Sequence, residues 1–460
     1  MRKTKIIATI GPSSFDLKII RRMIKEGVDG FRINFAHGTA KEWLEAVKTI
    51  RECEEEAGEH VALIGDLQGP NVRVGDAKQQ YLERGMEVQL LLAKSSEDKG
   101  VIPIPCREFF EVLDEGDRVV FADGEVVIEV KEVHPSGALG IVVTEGSIGP
   151  RKSVNIEGKR VPLPPLTAKD REDVVFAVKN GFSHIMVSFV ESKEHVRLVR
   201  RFLDRVGGSD IWVLSKIETR KGVENLESIV SESDGIVVAR GDLGKHFPLE
   251  TLPGLQSMII SKARSIGRMV VLATQLLSSM VNNPTPTRSE VVDVYNAVVE
   301  GSDALMLTNE TAVGKYPVAA ICWLKRIILE AERHGRNDVV KPQLRDLSFR
   351  FACGVVELAS SLEAMLLVYS MTGRTAERIS LYRPLRSFFV GVPNANVARR
   401  VRLLWGAHPI VADAKGYIEG LDKTRKILVE QGMLGYGDTL VETYRIGVEG
   451  SSIIRITQVQ

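Results

Sequence analysis

Lys216 lies near the end of a largely apolar run, 211–217, and Glu218 stands two residues after it in sequence, just past the end of that run. On a β-strand their side chains would point to the same side. Asp242 closely follows the next such run, 235–238. Together they offer a cation and two anions. Mg2+ usually takes one or two carboxylates from a protein and completes its octahedron with water and substrate oxygens; a lysine beside it can neutralise a transferring phosphoryl group. Gly241 and Gly244 flank Asp242, where glycine lets backbone approach a ligand closely. A helix N-terminus after that loop would offer free N–H groups to a carboxylate. The plain alternative is a Lys–Glu ion pair beside a surface aspartate.

Other apolar runs close the same way: Arg32-Ile33-Asn34, Asp66, Thr274-Gln275 and Thr308-Asn309-Glu310. Any one of these could simply cap a following helix. Six strand ends with such residues point instead to one shared site. The elements that would position them are β-rich runs at 5–10, 30–34, 61–66, 184–188, 211–217, 235–238, 269–273 and 304–307, most of them apolar throughout, as strands buried on both faces are. Between them, 17–26, 40–56, 169–180, 194–206 and 287–300 carry apolar residues at three- and four-residue intervals, the period of amphipathic helices. Eight such units predict an α/β protein built on a closed (β/α)8 barrel, with its site at the C-terminal ends of the strands.

The rhythm breaks after the third strand. Residues 70–162 are rich in Gly, Val and Asp with turn signals at Asp123-Gly124 and Pro135-Ser136-Gly137, which predicts an inserted β domain, a hinged lid. Prolines 162, 164 and 165 mark a stiff return, so the barrel comprises 1–69 and 163–335. From 336 to 460 a helical segment at 347–360, a strand at 364–369 and a β-rich end at 451–459 predict a C-terminal α/β domain. Hydrophobic residues make up 44% and charged residues 26%, ordinary for a soluble globular chain. A net charge of +1 gives no global field for nucleic acid or an anionic membrane. The four cysteines are scattered, without metal-binding or disulfide spacing, and no apolar run suits a signal peptide or a spanning helix. A cytoplasmic enzyme is expected.

Beyond this reading, the chain resembles the pyruvate kinase family along essentially its whole length. The motifs that carry the resemblance are 4–14, Arg32-Ile33-Asn34-Phe35-Ala36-His37-Gly38-Thr39, Leu214-Ser215-Lys216-Ile217-Glu218, Val238-Ala239-Arg240-Gly241-Asp242-Leu243-Gly244, Leu272-Ala273-Thr274-Gln275 and Pro286-Thr287-Arg288-Ser289-Glu290. The resemblance implies phosphoryl transfer from phosphoenolpyruvate to ADP, giving pyruvate and ATP. By position, Lys216 would stabilise the phosphoryl group in flight. Glu218 and Asp242 would bind Mg2+ or Mn2+, and Arg32 and Arg73 would hold phosphate oxygens. Backbone at Gly241 and Asp242, with the Thr274 side chain, would hold the substrate carboxylate. Thr274 and Thr308, the latter replacing a more usual Ser, would lie on the route by which the enolate is protonated. Asn34, His37, Arg73, Asp123 and Lys152 match nucleotide-side positions.

Asn34, Asp66 and the Leu67 carbonyl match the family's K+ ligands. Ala36, however, replaces a Ser ligand, and Asn71 stands where K+-dependent members carry Glu and independent ones Lys, so the resemblance leaves potassium open. The turn Ser370-Met371-Thr372-Gly373-Arg374-Thr375 resembles an effector-phosphate loop, and an ordinary N-cap turn is its alternative. The final loop, 447–450, departs from the effector-grasping pattern. His246 replaces a usual acidic residue. A homotetramer is implied, with Arg288 near a barrel-to-barrel contact. Two rival readings are a metal-dependent aldolase or lyase and a metabolite sensor without turnover.

Overall fold

Eight parallel strands close into a barrel: β1 (Lys5–Thr9), β2 (Gly30–Asn34), β3 (Ala62–Asp66), β4 (His184–Val187), β5 (Trp212–Ile217), β6 (Gly235–Ala239), β7 (Met269–Ala273) and β8 (Ala304–Leu307), with β8 paired to β1. β1, β3, β4, β6, β7 and β8 are buried at every position, which is why they are mostly apolar, with Lys5, Thr9, Asp66 and His184 as the polar exceptions at strand ends. The computed structural model describes residues 1–159, 161–335, 340–343, 346–445 and 452–460, without the side chains of Asp123 and Arg445.

The helices around the barrel start and stop where their caps dictate. Asp16 accepts from the N–H groups of Lys18 and Ile19 at the start of α1 (Leu17–Glu26), and left-handed Gly27 ends it. Thr39 and Glu42 form a capping box at the head of α2 (Ala40–Ala57). The other barrel helices used below are α3 (Arg240–His246), α4 (Leu252–Ile266), α5 (Arg288–Val299) and α6 (Pro317–His334).

The chain divides into two compact units, 68–170 and the remainder. The smaller unit carries a seven-stranded sheet in which most neighbours are antiparallel. Its long hairpin joins Val126–His134 to Gly137–Thr144 through Pro135 and Ser136, the turn that the sequence marked. Phe109, Phe121, Ile128 and Val130 are among its buried core. The other turn signal, Asp123-Gly124, falls in a short 3-10 turn, Ala122–Gly124.

Within the larger unit the C-terminal segment forms a five-stranded sheet in the order Ala407–Val411, Phe388–Val392, Met365–Tyr369, Thr439–Arg445, Ser452–Gln458, parallel except for the last pair. It packs against the floor of the barrel, where the strands begin, and a recurrent charge pattern holds it there. Asp29, Asp234 and Asp303 immediately precede β2, β6 and β8, and all three are buried. Each accepts a backbone N–H from the adjacent strand, from Ile6, Val213 and Val270 respectively. Each also meets an arginine of the C-terminal segment: Arg402 at 3.1 Å, Arg374 at 2.9 Å and Arg383 at 3.0 Å. Burial alone would raise the Asp29 and Asp234 carboxyls, but the neighbouring cations outweigh it and hold both below the ordinary range.

Candidate active site

The opposite rim of the barrel gathers the ionisable residues that the sequence placed at strand ends. Lys216, on β5, is 14% exposed and directs its Nζ to Glu218 Oε1 at 2.9 Å, Asp66 Oδ1 at 3.4 Å and Ser188 Oγ at 2.9 Å. Arg32, from β2, places Nε and Nη2 both 2.7 Å from Asp66 Oδ2 and donates from Nη1 to Thr9 Oγ1 at 3.1 Å. Four strands thus contribute to one charged cluster. Burial would lower the Lys216 pKa, yet Asp66 and Glu218 outweigh it and raise it. Lys216 is therefore a permanent cation at neutral pH, suited to stabilising charge and unsuited to proton transfer. Asp66 is held low by Lys216 and Arg32 against the effect of its burial.

Glu218 behaves differently. Its Oε2 accepts from the Phe189 N–H at 2.7 Å, but burial, reinforced by the Asp242 charge, pushes its carboxyl up, and Lys216 offsets only part of that. The two partners of one 2.9 Å ion pair therefore pull in opposite senses. At 2.9 Å the pair is ionic, and Glu218 is the carboxylate short of compensating charge. Asp242 is 29% exposed, with Lys245 at 2.9 Å. A divalent cation between Glu218 and Asp242 would supply the missing charge, so these residues fit one. Among the described residues no group of three or more His, Cys, Asp or Glu could enclose a metal, so substrate oxygens and water would fill the remaining positions.

Gly241 and Asp242 lie inside the first turn of α3, which begins at Arg240, and not in a loop ahead of it. The Gly241 N–H donates to Thr274 Oγ1 at 2.9 Å. Since that oxygen accepts a hydrogen bond, its own proton remains available to donate. Thr308, after β8, directs its hydroxyl to Glu310 Oε2 at 3.3 Å, and Glu310 also accepts from the Thr308 and Leu277 N–H groups. Glu310 ties the ends of β7 and β8 together.

The residues matched to a potassium site are already engaged. Asn34 Oδ1 accepts from the Ala36 N–H at 3.1 Å, both Asp66 oxygens face cations, and the Leu67 carbonyl accepts from Ser188 Oγ at 2.7 Å. Position 36 offers no side-chain oxygen. The matched set is thus one side-chain oxygen short, and each remaining oxygen keeps lone-pair capacity beyond the contact given. His37 is exposed, and its carbonyl accepts from Trp43 Nε1.

In the inserted unit Arg73 donates to the Arg151 carbonyl at 2.7 Å, and Lys152 pairs with Glu125 at 3.4 Å. The side chain of Asp123 lies outside the described residues, as do 447–450. In the C-terminal turn, Ser370 Oγ accepts the Gly373 N–H at 3.1 Å, Thr372 lends its carbonyl to Arg400, and Thr375 follows in the first turn of the helix Arg374–Leu381. Arg374 extends away to Asp234 and over the Trp212 ring. A cavity of about 550 Å³ lies there, lined in part by Arg200, Asp234, Arg268, Phe349, Arg374 and Arg378. It belongs to the strand starts and not to the charged cluster.

Sequence reasoning missed Ser188, which follows β4 and is 2% exposed. Its hydroxyl joins Lys216, Asp66 and the Leu67 carbonyl. It missed the Phe189 amide as well.

Known proteins with the same arrangement agree along the chain. Residues 1–321 match the family model described as pyruvate kinase, barrel domain, and 350–457 the one described as pyruvate kinase, alpha/beta domain. A pyruvate kinase of Aeropyrum pernix is 43% identical over 457 residues, covering 99% of both chains. One from Clostridium acetobutylicum is 33% identical, covering 100% of this chain and 99% of the relative. The crystal structure of the Pyrobaculum aerophilum enzyme superposes with a TM-score of 0.83 at 34% identity over 100% of both chains. That of Cryptosporidium parvum superposes at 0.91 and 32%, covering 100% of this chain and 98% of the other. On these matches, spanning both the barrel and the C-terminal sheet, the chain belongs to the pyruvate kinase family.

Proposed function

We propose that this enzyme transfers the phosphoryl group of phosphoenolpyruvate to ADP. The enol-ester O–P bond breaks, a bond forms from phosphorus to a terminal oxygen of ADP, and the enolate left behind gains a proton at its methylene carbon to become pyruvate. The observation that carries this reading is the buried Lys216 ammonium, held protonated between Asp66 and Glu218 with Ser188 beneath it. It meets the oxygens of a phosphoryl group in flight, and Arg32 adds a second cation. Preorganised charge of this kind is the main protein contribution to phosphoryl transfer. Mg2+ or Mn2+ held by Glu218 and Asp242 would polarise the phosphoryl oxygens and offset their charge.

Thr274 and the first turn at Gly241 and Asp242 are assigned the substrate carboxylate, with the Thr274 proton on the protonation side and Thr308 further along that route. Asn34, His37, Arg73, Asp123 and Lys152 are assigned to the nucleotide. The domain division is taken as 1–69 with 163–335, 70–162 and 336–460, with the turn 370–375 as an effector-phosphate site and a homotetramer as the assembly. A K+ site would use Asn34, Asp66 and the Leu67 carbonyl, one side-chain oxygen short at Ala36, and pyruvate formation measured with and without K+ reads whether catalysis needs it. Among the described residues no helix is long and apolar enough to cross a membrane, and a cytoplasmic location is part of the proposal.

The deciding experiment follows pyruvate formation from phosphoenolpyruvate and ADP with Mg2+, with and without K+, for the natural chain and Lys216→Met. A loss of about 1,000-fold or more in the variant, near 4 kcal/mol, supports the reading. Consumption of phosphoenolpyruvate without nucleotide would favour a lyase, and binding without turnover a sensor.

A further inference from the structure

Thr274 and Gln275, which follow β7, both hold left-handed backbone, with φ of 67° and 56°. A residue with a Cβ adopts that conformation at a cost, and two in succession need something to hold them. Arg240 does so. Its Nε and Nη2 donate to the Thr274 carbonyl at 3.3 and 3.0 Å, and Nη2 donates to the Gln275 carbonyl at 2.8 Å. The remaining nitrogen, Nη1, is anchored on Asp293 of α5 at 2.7 Å and Gln256 of α4 at 3.4 Å. Gln256 is itself fixed by Glu300 at 2.7 Å. The next residue, Gly241, holds the other end of Thr274 through its hydroxyl. Two consecutive residues of α3 therefore grip the carbonyl and the side chain of the same threonine.

We infer that Arg240 is a positioning residue for the Thr274 hydroxyl, acting through the strained 274–275 turn without touching substrate; this rests on the reading that Thr274 serves the carboxylate and protonation side of the reaction. The planar fork matters. A lysine carries a single compact charge and cannot span two carbonyls and an opposed carboxylate.

The test compares the natural enzyme with Arg240→Lys, Arg240→Gln and Asp293→Asn. Three quantities are measured: steady-state pyruvate formation, exchange of pyruvate methyl protons for solvent deuterium by NMR in the presence of ATP and Mg2+, and the melting temperature. Misplacing the hydroxyl by a fraction of an ångström should lower kcat and the exchange rate together, by about 10–100-fold in the Arg240 variants and less in Asp293→Asn. KM for ADP should stay within about twofold, because this grip is on the other substrate's side. A merely structural role would lower the melting temperature and leave the exchange rate of folded enzyme unchanged, which overturns the inference. So does Arg240→Lys with both rates within twofold of the natural chain. Should Arg240→Gln fail to fold, Arg240→Lys and Asp293→Asn decide. If the natural chain forms no pyruvate, the functional reading falls and the inference with it; if it does and the variants match it, the inference falls alone.

Discussion

Ser188 shows why a buried hydroxyl matters in a charged site. It accepts from Lys216 and donates to the Leu67 carbonyl, so Ser188→Ala removes one of the three oxygens around the Lys216 ammonium and takes the hydroxyl donor from a buried carbonyl. A lost buried hydrogen bond costs about 1–3 kcal/mol. We expect the variant to fold and kcat to drop roughly tenfold or more, read by the pyruvate assay beside a circular dichroism melt. Glu218→Gln and Asp242→Asn probe the other deficit. Each should weaken Mn2+ binding, followed by electron paramagnetic resonance, by at least the about 10–100-fold that losing even an outer partner costs. Unchanged Mn2+ affinity in both would refute the metal assignment. Arg32, Asp66, Lys216 and Glu218 were legible in the sequence because ionisable residues at the ends of apolar runs are conspicuous. Ser188 was not, since a small hydroxyl after a strand is commonplace. The grip of Arg240 was also hidden, because it depends on two left-handed residues that no propensity predicts.

At the level of elements, part of what distinguishes the motifs is helix chemistry. Thr287 and Glu290 form a capping box at the head of α5, and Glu290 also accepts from the N–H and hydroxyl of Ser279. Thr39 and Glu42 do the same for α2. Thr39→Ala should cost about 1 kcal/mol, the usual loss of a cap. Glu290→Ala should cost more, about 2 kcal/mol, because it also releases the 278–281 turn. Chemical denaturation distinguishes the two. All eight strands and five barrel helices were readable from periodicity, with ends shifted by a residue at most. α4 was overlooked because Gln256 and Arg264 sit on its buried face beside Ile259, Ile260 and Ala263. Arg264 spends its donors on the carbonyls of Val340, Gly301 and Leu381, an arrangement invisible to a pattern that expects apolar residues inside. α6 opens with Pro317 at its first position, a start signal available in the sequence but not used.

For the whole molecule, stability should depend on pH through buried histidines. Burial brings His184 and His408 down to about 3, with nearby Arg400 adding to the first and Lys5 and Arg402 to the second. Both values are depressed, so the unfolded chain takes up protons near pH 6.5 while the folded one does not. Stability is therefore full above about 6.5 and falls as the pH drops toward 3. Between pH 7 and 5 each should remove roughly 2 kcal/mol. Urea unfolding at the two pH values checks this, and His184→Asn should flatten the dependence. The contacts beneath the barrel are equally testable: Arg383→Met deprives buried Asp303 of its close partner and should cost about 3–5 kcal/mol in the same assay. A faint sign of that pattern was present in the sequence, an aspartate directly ahead of three strands, but the C-terminal arginines that meet them lie far along the chain. Asp29 and Arg402 are 373 residues apart. During synthesis at about 5–20 residues per second, Asp29 would wait roughly 20–75 s for Arg402 to be made. Until then Arg2 and Lys5 are the cations beside Asp29 and Arg200 the one beside Asp234, so a nascent barrel complete in all eight strands carries part of its charge compensation and gains the rest with the last quarter of the chain.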